Sequence, residues 1–163
     1  AENIEEYQLK SFSDTLTGEK REYKAANPII YKDGKAEGVL FGGNLATLSS
    51  LCGTDFIPDK NIILFLEDLN EPVYKIDRML RQLFNVDKFK NNVKGIAFGE
   101  FRDTEDDDML NDVLKEYTEL FNVPACRGFK ITHGKIKDTI PVGVKTLFDA
   151  QTGIIKIIED CLL

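Results

Sequence analysis

The chain has 163 residues, 28 of them acidic and 21 basic, which gives a formal net charge of −7. This length is typical of one domain with a substantial core. The negative charge argues against nucleic acid or an anionic membrane surface as the main partner. No apolar run approaches the length that crosses a bilayer and no signal peptide is recognisable, so we expect a cytoplasmic protein.

The three cysteines, Cys52, Cys126 and Cys161, are widely spaced and form no CxxC pair. An odd number without that pattern indicates neither a disulfide framework nor a zinc site. We therefore expect all three to be small buried hydrophobic side chains in a reducing compartment.

Residues 1–30 carry the weakest pattern. Thr17-Gly18-Glu19 favours a turn between two short strands. Residues 29–31 and 38–41 flank Asp33-Gly34, a dipeptide typical of tight hairpin turns, so a β-hairpin is predicted there.

Gly42-Gly43 comes next and precedes a predicted helix over residues 45–52, for which Asn44 is a suitable N-cap. Glycines before a helix N-terminus can expose backbone N–H groups to an anion. Neither a following Lys-Ser/Thr pair nor a full GxGxxG is present, so a tight strand-to-helix turn is the favoured interpretation of the glycines.

A buried strand is predicted over residues 61–66, and it stops at Glu67-Asp68. Acidic residues just past a buried strand lie at the carboxyl edge of the sheet, where open α/β sheets place their ligands. The alternative is that both carboxylates simply cap the following helix, which begins at Pro72. An apolar face marks that helix, with residues Val73, Ile76, Leu80 and Leu83.

The second half of the chain continues with a buried strand over residues 93–98. The acidic run 103–108 lacks the ligand spacing of a calcium loop and is more simply the solvated start of a helix. Residues 144–148 and 154–158 predict a closing hairpin.

His133 is the only histidine, so any imidazole chemistry must come from it. Thr132 and Gly134 flank it, and a polar segment follows before Pro141, which is typical of a loop carried past a strand end. A lone histidine is ordinarily a packing or surface residue, and this alternative stays open on the local pattern alone.

Several separate blocks resemble the serine LD-carboxypeptidase family, which includes the microcin-immunity peptidases. The blocks are GGNLATLSSLCGT, ILFLED, EPVYKIDRMLRQL, GIAFGEF, ITHG and PVGV, in the family's order across residues 38 to about 158. The family pattern usually has Gly before the histidine, where this chain has Thr132. The resemblance implies an α/β fold, specifically a swivelling β/β/α three-layer domain with a mixed sheet and three main helices.

The same resemblance implies a two-domain enzyme with a Ser, Glu, His triad. Glu67 of ILFLED would orient the imidazole, and His133 of ITHG would act as general base and acid. The serine would lie in an N-terminal domain, so residues 1–163 would form only the C-terminal domain. None of the serines present lies in a nucleophile-elbow pattern, which agrees with a missing nucleophile: Ser11, Ser13, Ser49 and Ser50.

The expected function is half of a peptidase that releases terminal D-alanine from murein tetrapeptides by hydrolysing an L-to-D amide bond. The isolated chain would then be inactive, with the N-terminal domain and the murein peptide as its partners and neither cofactor nor metal. Immunity-type hydrolysis of peptidyl or aminoacyl nucleotides is the alternative within the family. A non-catalytic folding or dimerisation domain, including a homodimer, and a weaker acidic metal-binding module are the alternatives from other classes.

Overall fold

A computed structural model describes residues 4–159. Within this range lie five helices, of which three are longer than ten residues, and eight strands. The helices are α1 (Ile4–Leu16), α2 (Leu45–Ser50), α3 (Val73–Phe84), α4 (Asp87–Asn92) and α5 (Asp107–Phe121). The strands are β1 (Glu22–Lys24), β2 (Ile29–Lys32), β3 (Lys35–Asn44), β4 (Ile62–Leu69), β5 (Val93–Arg102), β6 (Ala125–Arg127), β7 (Lys145–Asp149) and β8 (Ile154–Ile157).

All eight strands belong to one mixed sheet, in the order β1-β8-β7-β3-β4-β5-β6-β2. Strands β1 and β2 lie at its opposite edges, yet residues 25–28 alone connect them. A flat eight-stranded sheet would separate its edges by roughly 34 Å, whereas five residue steps reach at most about 18 Å. The sheet therefore curls, so that one part of it packs against another part, and the helices pack on the outside of the sheet. The α/β fold class with a layered mixed sheet is confirmed.

Two apolar cores lie on the two faces of the central strand β4. Ile62, Leu64 and Leu66 pack with the helices, whereas Ile63 and Phe65 pack with the curled part of the sheet. This division follows from strand geometry, because successive side chains point to opposite faces. A strand buried on both faces explains the continuous apolar run in its sequence.

The two long helices predicted from apolar periodicity, α3 and α5, are confirmed. Helix α3 buries the four predicted apolar residues against the sheet. Asp106 caps α5 by accepting a hydrogen bond from the Met109 N–H at 2.9 Å, so the acidic run does begin a helix. In residues 4–159, no cluster of three His, Cys, Asp or Glu side chains could hold a metal ion.

The prediction of two short strands around Thr17-Gly18-Glu19 was wrong for the first of them. Helix α1 occupies that place and ends at Leu16, and only the second strand, β1, forms. Apolar periodicity gives no sign of α1, because its buried side chains are Ser11 and Thr15, whereas Leu9 and Phe12 are exposed.

The predicted hairpin around Asp33-Gly34 was also wrong. Strand β2 pairs antiparallel with β6, while β3 lies between β4 and β7. Because both edges of β3 are occupied by these partners, no edge is left for β2. The predicted closing hairpin, in contrast, is present as β7 and β8.

Cys126 is buried, as expected, and its burial raises the pKa of the thiol to about 12. Cys52 is only partly buried, and Cys161 lies outside the described residues. Among residues 4–159, no helix is both long and apolar enough to cross a bilayer.

Candidate active site

Glu67 lies near the carboxyl end of β4, opposite Asn44 of the neighbouring parallel strand β3. The alternation along β4 places its side chain on the same face as Ile63 and Phe65, towards the curled part of the sheet. Only 6% of the residue is exposed. A carboxylate buried to this extent requires partners, since burying a charge without them is costly.

Asp68 points to the opposite face and has a structural role there. Its carboxylate accepts hydrogen bonds from the Ala46 N–H at 2.9 Å and from the Asn44 side-chain amide at 2.7 Å. Asn44 in turn caps α2 by accepting from the Thr47 N–H at 3.0 Å. The carboxylate of Asp68 therefore caps the preceding helix α2. The capping alternative, which had assigned it to the following helix α3, was wrong for this residue.

His133 is the partner of Glu67, although 66 positions separate them in the sequence. The imidazole Nδ1 lies 2.6 Å from Oε2 of Glu67. The side chain of His133 is 48% exposed, and within residues 4–159 Nε2 has no hydrogen-bond partner. The predicted proximity of the two residues is thus present, with one ring nitrogen held and the other open to solvent.

Strand β5 fixes the chain just before His133. The Glu100 N–H donates to the Ile131 carbonyl at 2.9 Å, and Gly99 makes this approach possible, since a Cβ there would lie 2.2 Å from the same carbonyl oxygen. Thr132 Oγ1 donates to Glu100 Oε2 at 2.6 Å and accepts from the Gly134 N–H at 2.8 Å. The threonine that departs from the family pattern thus anchors to the sheet the loop that carries His133, residues 128–144 between β6 and β7, called the histidine loop below.

Such a pair can hold one tautomer of an imidazole. If Nδ1 carries the proton and donates it to Glu67, the neutral ring presents an unprotonated Nε2 to a partner. The carboxylate also stabilises the imidazolium that forms when Nε2 takes a proton. The arrangement is therefore suited to general acid–base chemistry at the exposed nitrogen.

The serines of this chain make other contacts. Ser49 and Ser50 donate hydrogen bonds to carbonyls within α2, those of Ala46 and Thr47. Ser11 is buried on α1 and accepts from the Thr139 N–H. Within the described residues, none of these hydroxyls lies in hydrogen-bond contact with Nε2 of His133.

An exposed apolar surface adjoins the histidine loop. A groove of about 470 Å³ runs between α1 and this loop, and Leu9, Phe12 and Thr139 are among its lining residues. Ile136 and Val142 of the loop are exposed as well. Exposed apolar patches of this kind commonly mark interaction surfaces.

The glycines that precede α2 serve close strand packing. A Cβ at Gly42 would lie 1.9 Å from the Phe65 carbonyl oxygen, and Gly42 and Gly43 both pair with β4. Gly42 has φ +153°, a conformation that favours glycine. The requirement for glycine here comes from the approach of β4, whereas the sequence pattern pointed to a turn before α2.

Comparison with known proteins identifies the family. Residues 37–147 match the LD-carboxypeptidase C-terminal domain. The chain is 39% identical over 131 residues to the probable murein peptide carboxypeptidase of Bacillus subtilis, which covers 76% of the chain and 41% of that protein. The chain belongs to the LD-carboxypeptidase family.

Other LD-carboxypeptidase relatives agree with this membership. The microcin C7 self-immunity protein MccF of Escherichia coli is 31% identical over 148 residues, which cover 88% of the chain and 42% of that protein. The muramoyltetrapeptide carboxypeptidase of Oxalobacter formigenes superposes with a TM-score of 0.75 at 30% identity, over 91% of the chain and 53% of that structure. The chain thus spans about half the length of the relatives it matches.

The family resemblance pointed to Glu67 and His133, whereas the groups that hold the histidine loop were not predicted. Glu100 follows a predicted strand just as Glu67 does, so its position at the same sheet edge was a usable signal. Helix α1 gave no such signal, because its contacts with the loop are polar.

Proposed function

We propose that residues 1–163 are the C-terminal domain of a two-domain serine LD-carboxypeptidase. Glu67 and His133 supply two members of a Ser, His, Glu triad, and an N-terminal domain supplies the serine. The observation that carries this proposal is the 2.6 Å contact between Nδ1 and the buried carboxylate, combined with an open Nε2. The isolated chain has nothing to activate and is inactive.

In this mechanism, Nε2 of His133 removes the proton of the serine hydroxyl as the oxygen attacks the amide carbonyl. The protonated ring then gives this proton to the leaving amine. In the second half, Nε2 takes a proton from the water that attacks the acyl-enzyme and returns it to the departing serine oxygen. Glu67 stays ionised throughout, fixes the tautomer and stabilises the imidazolium. The serine and the oxyanion-hole donors both come from the other domain.

The N-terminal domain docks over the histidine loop and α1. Leu9 and Phe12 of α1 are exposed and line a groove shared with Thr139 of this loop, and Ile136 of the loop is exposed as well, which supports a covered interface here. An apolar patch of this kind gains free energy when a second domain removes it from water. A homodimer through the same side is the competing arrangement.

For the substrate we propose a murein tetrapeptide, from which terminal D-alanine is released by hydrolysis of the L-to-D amide bond. Relatives named as murein peptide carboxypeptidases support this class, and the reaction would serve cell-wall recycling in the cytoplasm. The relative named as a microcin self-immunity protein supports a second candidate, hydrolysis of peptidyl or aminoacyl nucleotides.

Reconstitution tests the proposal. The chain is joined to the N-terminal domain of the Bacillus subtilis relative, and D-alanine release from a murein tetrapeptide is measured. The fusion should hydrolyse the peptide, and His133→Ala should lower kcat by a factor of about 10⁴ or more, as triad losses do. An aminoacyl nucleotide offered in parallel distinguishes the two substrate classes.

The control is Lys115→Ala, which changes an exposed residue of α5 and should leave turnover unchanged. A serine-directed fluorophosphonate should label the fusion but not the isolated chain. Stoichiometric labelling of a serine in the isolated chain, or full turnover by His133→Ala, would contradict the two-domain mechanism. A folded fusion without turnover on either substrate would favour the non-catalytic alternative.

A further inference from the structure

Helix α1 lies against the histidine loop through a polar face. Tyr7, Ser11 and Thr15 follow one another at intervals of four residues and Gln8 precedes Ser11 by three, so these four side chains share one side of the helix. The described apolar side chains of α1 are largely exposed: Ile4, Leu9, Phe12 and Leu16. The helix is therefore held by hydrogen bonds, and not by an apolar stripe.

Asp138, five residues after His133, is the centre of these contacts. Its side chain is 8% exposed, and Oδ1 accepts from the Tyr7 hydroxyl at 2.7 Å and from Lys20 Nζ at 2.5 Å. The Asp138 N–H donates to the Lys130 carbonyl at 2.9 Å, which closes the loop on itself. A buried carboxylate with several donors fixes its position closely, since losing a partner leaves an unsatisfied charge.

Three further hydrogen bonds join α1 to the backbone of the loop. Ser11 Oγ accepts from the Thr139 N–H at 2.9 Å, and Thr15 Oγ1 donates to the Thr139 carbonyl at 3.0 Å. The Gln8 side chain donates to the Lys135 carbonyl at 2.6 Å, two residues from His133. Backbone contacts of this kind fix the path of the chain regardless of the loop's own side chains.

His133 thus lies between two anchors. Before it, Ile131 and Thr132 are bound to Glu100 of β5, and after it, residues 135–139 are bound to α1. Its own side chain has one hydrogen bond within the described residues, the contact with Glu67. Because the imidazole is half exposed and has this one hydrogen bond, we infer that the direction of the ring depends on both anchors.

We propose that Ser11 and Asp138 are positioning residues for His133. By holding the loop on α1, they keep Nδ1 on Glu67 and Nε2 directed outward. The catalytic meaning of this arrangement rests on the proposed function, but the positioning itself is a property of the isolated chain. A substitution on α1, away from the imidazole, should therefore change the tautomer of the ring and the solvent exchange of its Nδ1 proton.

The test uses ¹⁵N and ¹H NMR of the ring in the isolated chain, where His133 is the only histidine and needs no assignment. In the parent chain we expect the Nδ1–H tautomer and a protected Nδ1 proton. In Ser11→Ala this proton should exchange with solvent about tenfold faster, the factor that corresponds to one lost hydrogen bond, and the second tautomer should appear. Asp138→Asn should act in the same direction.

The matched control is Ser13→Ala, the same substitution on the exposed side of α1. It should leave tautomer and exchange as in the parent. Backbone spectra show whether each variant is folded, and Asp138→Asn, which keeps the side-chain shape, serves if Ser11→Ala unfolds α1. Parent-like ring signals in a folded Ser11→Ala or Asp138→Asn would overturn the proposal.

In the two-domain fusion, loss of positioning should lower kcat and leave KM nearly unchanged. A loss of activity that came from general destabilisation would instead be restored by lowering the temperature. If the ring signals change but the fusion of the unmodified chain never hydrolyses a peptide, the positioning proposal stands and the proposed function fails. If the fusion of the unmodified chain hydrolyses the peptide but the ring signals do not change in the folded variants, the proposed function stands and the positioning proposal fails.

Discussion

Glu67 and His133 touch each other, yet the structure fixes them by opposite means. Glu67 belongs to the central strand β4, whose apolar side chains are buried in cores on both faces. His133 lies in a loop that specific hydrogen bonds from β5 and α1 hold in place. The carboxylate is positioned by non-directional burial and the imidazole by directional polar contacts.

This difference separates stability from function. Burial of apolar area supplies most of the free energy of folding, so changes around Glu67 should mainly unfold the protein. A single hydrogen bond contributes less net stability than a buried core side chain, so changes around His133 should mainly move the ring. The two sides of the pair can therefore be perturbed independently.

The largest expected effect on stability is that of Leu64→Ala in β4. Leu64 is buried in the core between the sheet and the helices, and a Leu-to-Ala change in such a core lowers the free energy of unfolding by about 2–5 kcal/mol. Urea unfolding measures this loss. Leu120→Ala on α5 is the control, since that leucine is exposed and should lose less than about 1 kcal/mol. Equal losses in both variants would contradict a core centred on β4.

A smaller effect is expected for Asp68→Ala, on the strand but outside the apolar core. Its removal leaves the Ala46 N–H without its acceptor and frees the Asn44 side chain, which should cost about 1–3 kcal/mol. Asp112→Ala, an exposed acid of α5, should be nearly neutral. The ring signals of His133 should stay parent-like, since Asp68 faces away from it; a shifted tautomer would mean that the two faces of β4 are coupled.

Thr132→Val should have the smallest effect on stability and yet act on the ring. The change keeps the shape of the side chain and removes the hydrogen bonds with Glu100 and Gly134, at a net cost of about 1 kcal/mol or less. Thermal unfolding measures the stability, and the exchange rate of the Nδ1 proton measures the ring. Thr104→Val, whose hydroxyl has no hydrogen bond within residues 4–159, is the control; if it mobilises the ring as much, Thr132 is no anchor.

Local sequence determined the parts of this protein that burial controls. The apolar run over residues 61–66 predicted β4, although the strand continues through Glu67 and Asp68 to Leu69, and apolar periodicity predicted α3 and α5. The motif resemblance brought His133 to Glu67 across 66 positions, which no local pattern could do. The successes with β4, α3 and α5 share one cause, since the pattern of apolar residues reports directly which faces of an element are buried.

Only the tertiary structure decided the rest. The partner of β2 depended on which strand edges were already occupied, and the turn at Asp33-Gly34 could not reveal that β3 lies between β4 and β7. Helix α1 and the anchoring of the histidine loop could not be predicted, because polar side chains form the contact. Ser11 and Thr15 of α1 bond to the loop, and Asp138 of the loop pairs with Lys20. Polar contacts between distant segments leave no periodic signal, because each group is satisfied only by a partner that the fold brings to it.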